Sequence, residues 1–177
     1  LECAWGSHSG PLGHQLSRLD SLHKTAWLQL VAAMLRGMEN PYVFGDLHLF
    51  INVINGAMLL GCEDASTLRL CCAAYLNMAV QFQSLFASSG FTLIMPTILR
   101  SYSQRQTNPR LLRAVHFLIQ QFYILHRKPF VLQLFSSAAP LLEGRENSGQ
   151  LDGWRLSSAA LLGLLLSLEG VGSRCPD

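Results

Sequence analysis

Apolar residues recur at three- and four-residue steps along most of the chain, which is the spacing of one face of an α-helix. The first such stretch runs from Gln15 to Arg36, and the second runs from Asp46 to a glycine stop at Gly61. A third begins after Asp64, a favourable N-cap residue, and ends near Gly90. No stretch alternates apolar and polar residues as a half-buried strand would, so the pattern predicts an all-α fold.

The rest of the pattern predicts three more helices, covering roughly residues 91–103, 108–126 and 129–143. The first of these contains Pro96, so it is expected either to kink or to begin late. Asn108 followed by Pro109 is a strong helix start, because a side-chain cap precedes a proline at the first helical position. Pro129 is expected to open the sixth helix.

The predicted helices repeat at a spacing of 44 residues. This shift aligns Asp64 with Asn108, Phe86 with Phe130, Phe91 with Phe135, and Pro96 with Pro140. A unit of about 40–47 residues built from paired helices is the signature of HEAT and armadillo arrays, in which neighbouring pairs bury each other's apolar faces. We therefore expect a HEAT/armadillo-like solenoid fragment of about three helix pairs with flexible ends. All four phenylalanines should be buried. The alternative is a non-repeating helical bundle.

The two ends of the chain differ from this central segment. Residues 1–14 are expected to be a disordered leader, residues 15–143 the helical-repeat segment, and residues 144–177 a polar linker with an apolar tail. The tail, Leu156–Leu168, is a run of Leu, Ser, Ala and Gly without an amphipathic face. Its composition favours a frayed tail over a terminal helix of the array. The run is shorter than the roughly 20 residues that a membrane span needs.

Neither composition nor motifs indicate catalysis. Half of the residues are apolar and 14% are charged, which excludes a disordered chain and supplies a core. The sequence lacks a phosphate-binding loop, a Cys-x-x-Cys pair and converging carboxylates. His116 and His126 are interpreted as ordinary helix-face histidines. We therefore expect a protein that is not an enzyme and that uses no metal or cofactor.

One charge feature stands out between Asp64 and Glu143, where the chain has no acidic residue and seven basic ones. Most of these lie near predicted helix C-termini, where the helix dipole favours cations. Arg110 and Arg113 lie in the first turn of a helix, so a neighbouring helix end or an acidic partner must stabilise them. The hypothesised partner-binding residues are Arg105, Arg110, Arg113, Arg127 and Lys128. A solvated role within the array is the alternative.

Three long strings carry a family resemblance: FINVINGAMLLG over residues 50–61, SYSQRQTNPRLLRAV over 101–115, and QFYILHRKPFVLQLF over 121–135. They resemble the uncoordinated-eighty homolog family, the large auxiliary subunits of the neuronal sodium leak channel complex. The resemblance covers about Gln15 to Leu142. It implies a non-enzymatic, HEAT/armadillo-like scaffold segment on the cytoplasmic side of the neuronal plasma membrane. The implied partners are the channel pore subunit and a second large scaffold subunit.

The alternative function is a generic helical-repeat module that binds nucleic acid or transport cargo. Its only support is the basic block, which contains a single lysine, Lys128. No basic stripe alternates with stacking aromatic residues, as proteins that bind single-stranded nucleic acid require. We therefore expect no nucleic-acid partner.

Overall fold

The computed structural model describes residues 26, 30, 33, 47–60, 64–142 and 156–172, and every regular element in those ranges is an α-helix. The helices are α1 (Leu47–Leu60), α2 (Ala65–Gln81), α3 (Gln83–Ser88), α4 (Gly90–Gln104), α5 (Pro109–Leu125), α6 (Arg127–Leu142) and α7 (Ser158–Gly172). The all-α prediction is confirmed, whereas the solenoid stays a prediction. The expectations for the leader, for most of the first predicted helix and for the polar linker lie outside the described residues.

The chain divides into two compact units, residues 1–78 and 79–177. In the first unit, α1 buries Ile51, Ile54 and Met58 on one face. Asn55 is buried with them, and its side-chain oxygen accepts a hydrogen bond from the Tyr75 hydroxyl of α2. Because the two buried polar groups satisfy each other, the desolvation cost of burying them is largely offset.

Two helices begin at the side-chain caps that the sequence identifies. Asp64 Oδ2 accepts hydrogen bonds from the Ser66 hydroxyl and, at 3.0 Å, from the backbone N–H of Thr67. These bonds, that of Ser66 first, lower the pKa of the Asp64 carboxyl to about 2. Asn108 Oδ1 accepts at 3.3 Å from the backbone N–H of Leu111. Both caps satisfy first-turn donors that have no partner within the helix.

The 44-residue spacing holds for α2 and α5. Their first and last residues are separated by that spacing, 65 from 109 and 81 from 125. Four residues that α2 buries are Cys71, Ala74, Tyr75 and Met78, and their counterparts in α5 are also buried: Val115, Leu118, Ile119 and Phe122. The caps and these four positions recur in both helices, whereas Leu68, Cys72 and Ala79 are buried without a buried counterpart in α5.

The helices that follow α2 and α5 do not repeat in the same way. The predicted third helix, from Asp64 to near Gly90, is wrong as a single element, because the chain leaves helical geometry at Phe82 with φ −111° and ψ 54°. The break is stabilised at the carbonyl of Ala79, which is 2.9 Å from Nε2 of His126. A second break at Ser89 separates α3 from α4, whereas α6 is continuous.

The prediction that four phenylalanines are buried is wrong for Phe135, which is 52% exposed, although Phe86, Phe91 and Phe130 are buried. Residues five apart in a continuous helix point about 140° away from each other, so Phe130 and Phe135 cannot share the inner face of α6. The break at Ser89 removes that constraint from Phe86 and Phe91, and both rings face the core.

The core of the second unit is a group of rings that we call the ring cluster: Phe86, Phe91, Phe122, His126 and Phe130. Phe91 makes edge-to-face contacts with Phe86 and Phe122, both with ring centroids 5.3 Å apart, and with Phe130 at 5.5 Å. His126 stacks on Phe86 at 6.0 Å. Edge-to-face geometry places the positive edge of one ring on the negative face of another. The ring cluster thereby joins α3, α4, α5 and α6.

Gly90, the first residue of α4, lies directly against the ring cluster. A Cβ atom at this position would be 3.0 Å from Cγ of Phe86 and 3.1–3.2 Å from both Cδ atoms. Because Phe86 is itself packed against Phe91, Phe122 and His126, its ring has little freedom to withdraw. The start of α4 therefore depends on a residue without a side chain.

Prolines occur both in the interior of helices and in a first turn. Pro96 and Pro140 are exposed within α4 and α6, and both helices continue through them. Because α4 begins at Gly90, the alternative that it begins late is wrong. Pro129 does not open α6, which begins two residues earlier at Arg127. Pro129 therefore lies in the first turn, where a missing N–H leaves no helical hydrogen bond unmade.

The C-terminal apolar run forms a helix rather than the frayed tail that its composition favours. Ser157 Oγ caps α7 by accepting at 3.1 Å from the backbone N–H of Ala160, and Gln120 of α5 donates at 3.3 Å to the carbonyl of Ser167. The inner face of α7 buries Ala160, Leu161, Leu164 and Leu168. Among the described helices, none combines the length and apolar character that crossing a membrane requires.

A partly buried polar contact lies where α4, α5 and α7 meet. The Tyr102 hydroxyl is 3.2 Å from Nε2 of His116, and a Cβ atom on Gly163 would lie 3.6 Å from that hydroxyl. Burial lowers the pKa of His116 below its ordinary value, because desolvation disfavours the imidazolium. His116 lies near Gly163 through Tyr102, and Gln120, four residues further along α5, contacts Ser167, four residues further along α7. The two helices therefore run in the same direction.

We predict that Phe130→Ala lowers the free energy of unfolding by about 3–5 kcal/mol, because it leaves a cavity in the ring cluster. Phe135→Ala is the matched control, and it should change the free energy by less than about 0.5 kcal/mol because its ring is largely solvated. Urea unfolding of the chain, followed by circular dichroism, measures both values. Equal losses of unfolding free energy in the two variants would contradict the placement of Phe130 on the inner face of α6 and Phe135 on its outer face.

We also predict that His116 makes stability depend on pH. A histidine whose pKa is lower in the folded state than in the unfolded state contributes stability above its unfolded pKa, about 6.5. That stability is lost as the pH falls. The free energy of unfolding should therefore decrease more between pH 7.5 and 5.5 for the unmodified chain than for His116→Gln. The glutamine amide can still hydrogen-bond Tyr102 but does not titrate. Identical pH dependence in the two chains would contradict the prediction.

Candidate partner-binding surfaces

Arg110 and Arg113 lie on the outer side of the first two turns of α5, and both are exposed. Their placement follows from the local sequence, because the cap at Asn108 and the proline at position 109 fix where the helix begins. Residues three apart in a helix share a face, so the two guanidinium groups form one cationic site. Within the described part of the chain, neither has a carboxylate at salt-bridge distance.

Arg127 and Lys128 form a second, separate cationic site at the start of α6, and both are exposed. The Arg127 guanidinium lies 5.3 Å from the ring centroid of Tyr123, a cation–π distance that restrains the arginine side chain. At a rise of 1.5 Å per residue, α5 places Arg127 about 20 Å along its axis from Arg113. The five predicted residues therefore do not form a single patch.

Arg105 differs from the other four predicted residues, because it is only 6% exposed. Its Nη1 donates hydrogen bonds to the Ser101 carbonyl at 3.1 Å and to the Ser101 hydroxyl at 2.8 Å. The guanidinium therefore turns back along α4, where its hydrogen bonds stabilise the end of the helix, and little of its surface is open to a partner's carboxylate. Burial sets Arg105 apart from the other four residues, and its place in a partner-binding surface stays a prediction.

An exposed apolar row on α6 was not found by the sequence reasoning. The α6 outer row consists of Lys128, Leu132, Phe135, Ala139 and Leu142, all exposed and separated by alternating steps of four and three residues. Leu132 is 63% exposed, the highest value among the large exposed apolar side chains of α6. The regular spacing of these residues in the sequence predicts an apolar row. It was missed because the residues that α6 buries have a helical spacing of their own.

The outer face of α5 combines cations and apolar residues in the same order. Arg110 and Arg113 lie in its first two turns, and Phe117 and Ile124 follow on the same face. Both apolar side chains are about half exposed. The inner residues of α5, among them Val115 and Phe122, point to the opposite side of the helix and are fully buried.

Chemistry other than binding finds little support in the described ranges. No group of three or more His, Cys, Asp or Glu side chains within them is arranged to hold a metal ion. His116 and His126 are both engaged in packing, through Tyr102 and through the carbonyl of Ala79. Cys71 and Cys72 are buried. The exposed faces of α5 and α6 are therefore the strongest candidates for function.

Arg105→Ala should lower the free energy of unfolding by about 1–3 kcal/mol, because it removes charge-assisted hydrogen bonds inside the protein. Arg113→Ala, an exposed arginine in the next helix, is the matched control and should change the free energy by less than about 0.5 kcal/mol. Chemical denaturation of the two variants measures the difference. If Arg105→Ala proves as harmless as the control, the inward role of Arg105 is incorrect.

Comparison with known proteins finds similarity over nearly the whole chain. The family model described as Protein UNC80 C-terminal region matches residues 1–175. Protein unc-80 of Caenorhabditis elegans is 44% identical over 176 residues, 99% of this chain. The unc-80 homologs of Mus musculus and Homo sapiens are 49% and 48% identical over 161 residues, 89% of this chain. The chain spans only about 5% of the length of each of these relatives.

Proposed function

The chain belongs to the family of the UNC80 C-terminal region, and we propose that it is a non-enzymatic scaffold segment of a large auxiliary subunit. In this proposal the subunit assembles with and supports a neuronal sodium leak channel complex. Its partners are the channel pore subunit and a second large scaffold subunit, and it acts on the cytoplasmic side of the neuronal plasma membrane. Because the chain is a small part of its relatives, the proposal concerns one segment of a much larger assembly.

The observation that carries the proposal is the cationic site of Arg110 and Arg113 on the outer face of α5. Two cations in the first turns of a helix oppose the helix dipole, by roughly 0.3–1 kcal/mol each at low salt. Neither has a carboxylate at salt-bridge distance among the described residues. A complementary acidic surface on the channel or on the second scaffold would offset this cost and would steer the encounter.

The arrangement around these cations also suits a protein partner. Phe117 and Ile124 are exposed on the same face, so the cationic site adjoins apolar area that a partner can bury. Protein interfaces are enriched in aromatic and arginine side chains, and this face carries both beside apolar area. The structural role of α5 is to hold this face rigidly, because its opposite side is anchored in the ring cluster through Phe122.

The alternative, a module that binds nucleic acid or transport cargo, gains one observation from the structure: Arg113 and Phe117 are exposed on the same face, and a ring beside a cation can stack on a base. A titration with random oligonucleotides at several salt concentrations separates the two functions. Binding that falls steeply with salt would favour the nucleic-acid module, because phosphate contacts release counterions. No binding at low salt would remove that candidate.

We predict that the double variant Arg110→Glu, Arg113→Glu in the full-length family protein reduces co-purification of the leak channel from neuronal membranes. The expected loss is about 2- to 30-fold, the effect of two exposed ion pairs, and it should be larger at low ionic strength. Immunoblotting for the pore subunit and for the second scaffold subunit measures the loss.

The matched control is Arg69→Glu, because Arg69 is exposed on α2 at the position equivalent to Arg113 under the 44-residue spacing. This variant should co-purify the channel as the unmodified protein does. Normal co-purification by the double variant would contradict the proposal. Loss of helicity in the double variant, seen by circular dichroism of the chain, would show instead that the two arginines stabilise the fold.

A further inference from the structure

The helix α6 is apolar on two separate faces. Its inner face buries Phe130, Leu134 and Ala138, while the α6 outer row remains exposed. A helix that is apolar on more than one side is normally covered on each of them, because single-faced packing requires only one apolar stripe. Within the described residues, the other helices of the second unit leave Leu132 and Phe135 more than half exposed.

The spacing of the α6 outer row is that of a helix–helix contact. The steps from Lys128 to Leu142 are four, three, four and three residues, which is the heptad pattern of side chains that insert between the side chains of a facing helix. The row extends about 21 Å at 1.5 Å per residue, so a facing helix of about four turns would cover it.

The charges around the row indicate what kind of helix fits. Lys128 begins the row, Arg127 is next to it, and residues 65–142 contain seven basic side chains and no acidic one. A second copy of this chain would bring one cationic segment against another, which is unfavourable. A helix with a carboxylate opposite Lys128 would neutralise the cation while its apolar residues cover Leu132, Phe135 and Leu142.

We infer that the α6 outer row is the docking site of one acidic amphipathic helix from a partner protein. That helix carries apolar residues at alternating three- and four-residue steps, and an Asp or Glu at the end that lies beside Lys128. This inference rests on the proposed scaffold function and names the class of partner segment that one of its surfaces receives. It involves a different surface from the cationic site of Arg110 and Arg113, which lies on α5.

Site-specific photo-crosslinking tests the inference directly. A photoreactive phenylalanine analogue replaces Phe135 in the full-length family protein, expressed in neurons with its partners, and the crosslinked peptides are sequenced. The matched control places the analogue at Leu162 of α7, which is 57% exposed, close to the exposure of Phe135. The expected product at position 135 is a peptide of another protein with the apolar spacing described above and net negative charge.

Charge substitutions at the end of the row give a second readout. Lys128→Glu should lower the crosslinking yield at position 135 by about 1.5- to 5-fold, the effect of one exposed ion pair, whereas Lys128→Arg should retain the yield. An unchanged yield with Lys128→Glu would overturn the inference. It would also be overturned by adducts on lipid, on a second copy or on a peptide without acidic residues, and by equal yields at positions 135 and 162.

The same samples separate this inference from the proposed function. Co-purification of the pore subunit with the unmodified protein tests the scaffold function, and its absence would contradict that function whatever the crosslinks show. If the pore subunit co-purifies but no acidic helix is crosslinked at position 135, the docking inference alone is wrong.

Discussion

The ring cluster is the constraint on which the second unit depends. Phe91 contacts three other phenylalanine rings, and His126 both stacks on Phe86 and bonds to the carbonyl of Ala79. Each favourable aromatic pair contributes roughly 0.5–1.5 kcal/mol beyond the apolar area it buries. Four helices of modest length acquire their mutual orientation from this group. That orientation decides which faces of α5 and α6 remain available to other molecules.

The outward faces of α5 and α6 share one organisation. In both helices, cations occupy the first turns and apolar side chains follow along the same side, as Arg110 precedes Phe117 and Lys128 precedes Leu132. Charge on such faces sets partner choice and the rate of encounter, while apolar area supplies affinity once water is expelled. Two faces of this type, one on α5 and one on α6, would allow two partner segments to bind at the same time.

Local signals in the sequence predicted what local physics determines. The caps at Asp64 and Asn108 locate α2 and α5, because a side chain and a backbone N–H three residues away decide where a helix begins. The place of Arg110 and Arg113 near the start of α5 followed from the same reasoning. The burial of Arg105 did not, because it depends on Ser101 and on the packing around the end of α4. Phe135 was misplaced because the break at Ser89, a tertiary feature, has no counterpart in α6.

Gly90 gives the second unit a point of fragility that lies away from the outward faces of α5 and α6. A Cβ atom at this position would lie 3.0–3.2 Å from the Phe86 ring, so the ring or the first turn of α4 would have to move by a few tenths of an ångström. A missense change there would disturb the ring that helps orient α5 and α6, and so alter their outward faces without changing any residue on them. Tolerance to substitution at position 90 is thus set by a neighbouring aromatic ring rather than by helix propensity. A variant there would be read as a binding defect unless folding were measured as well.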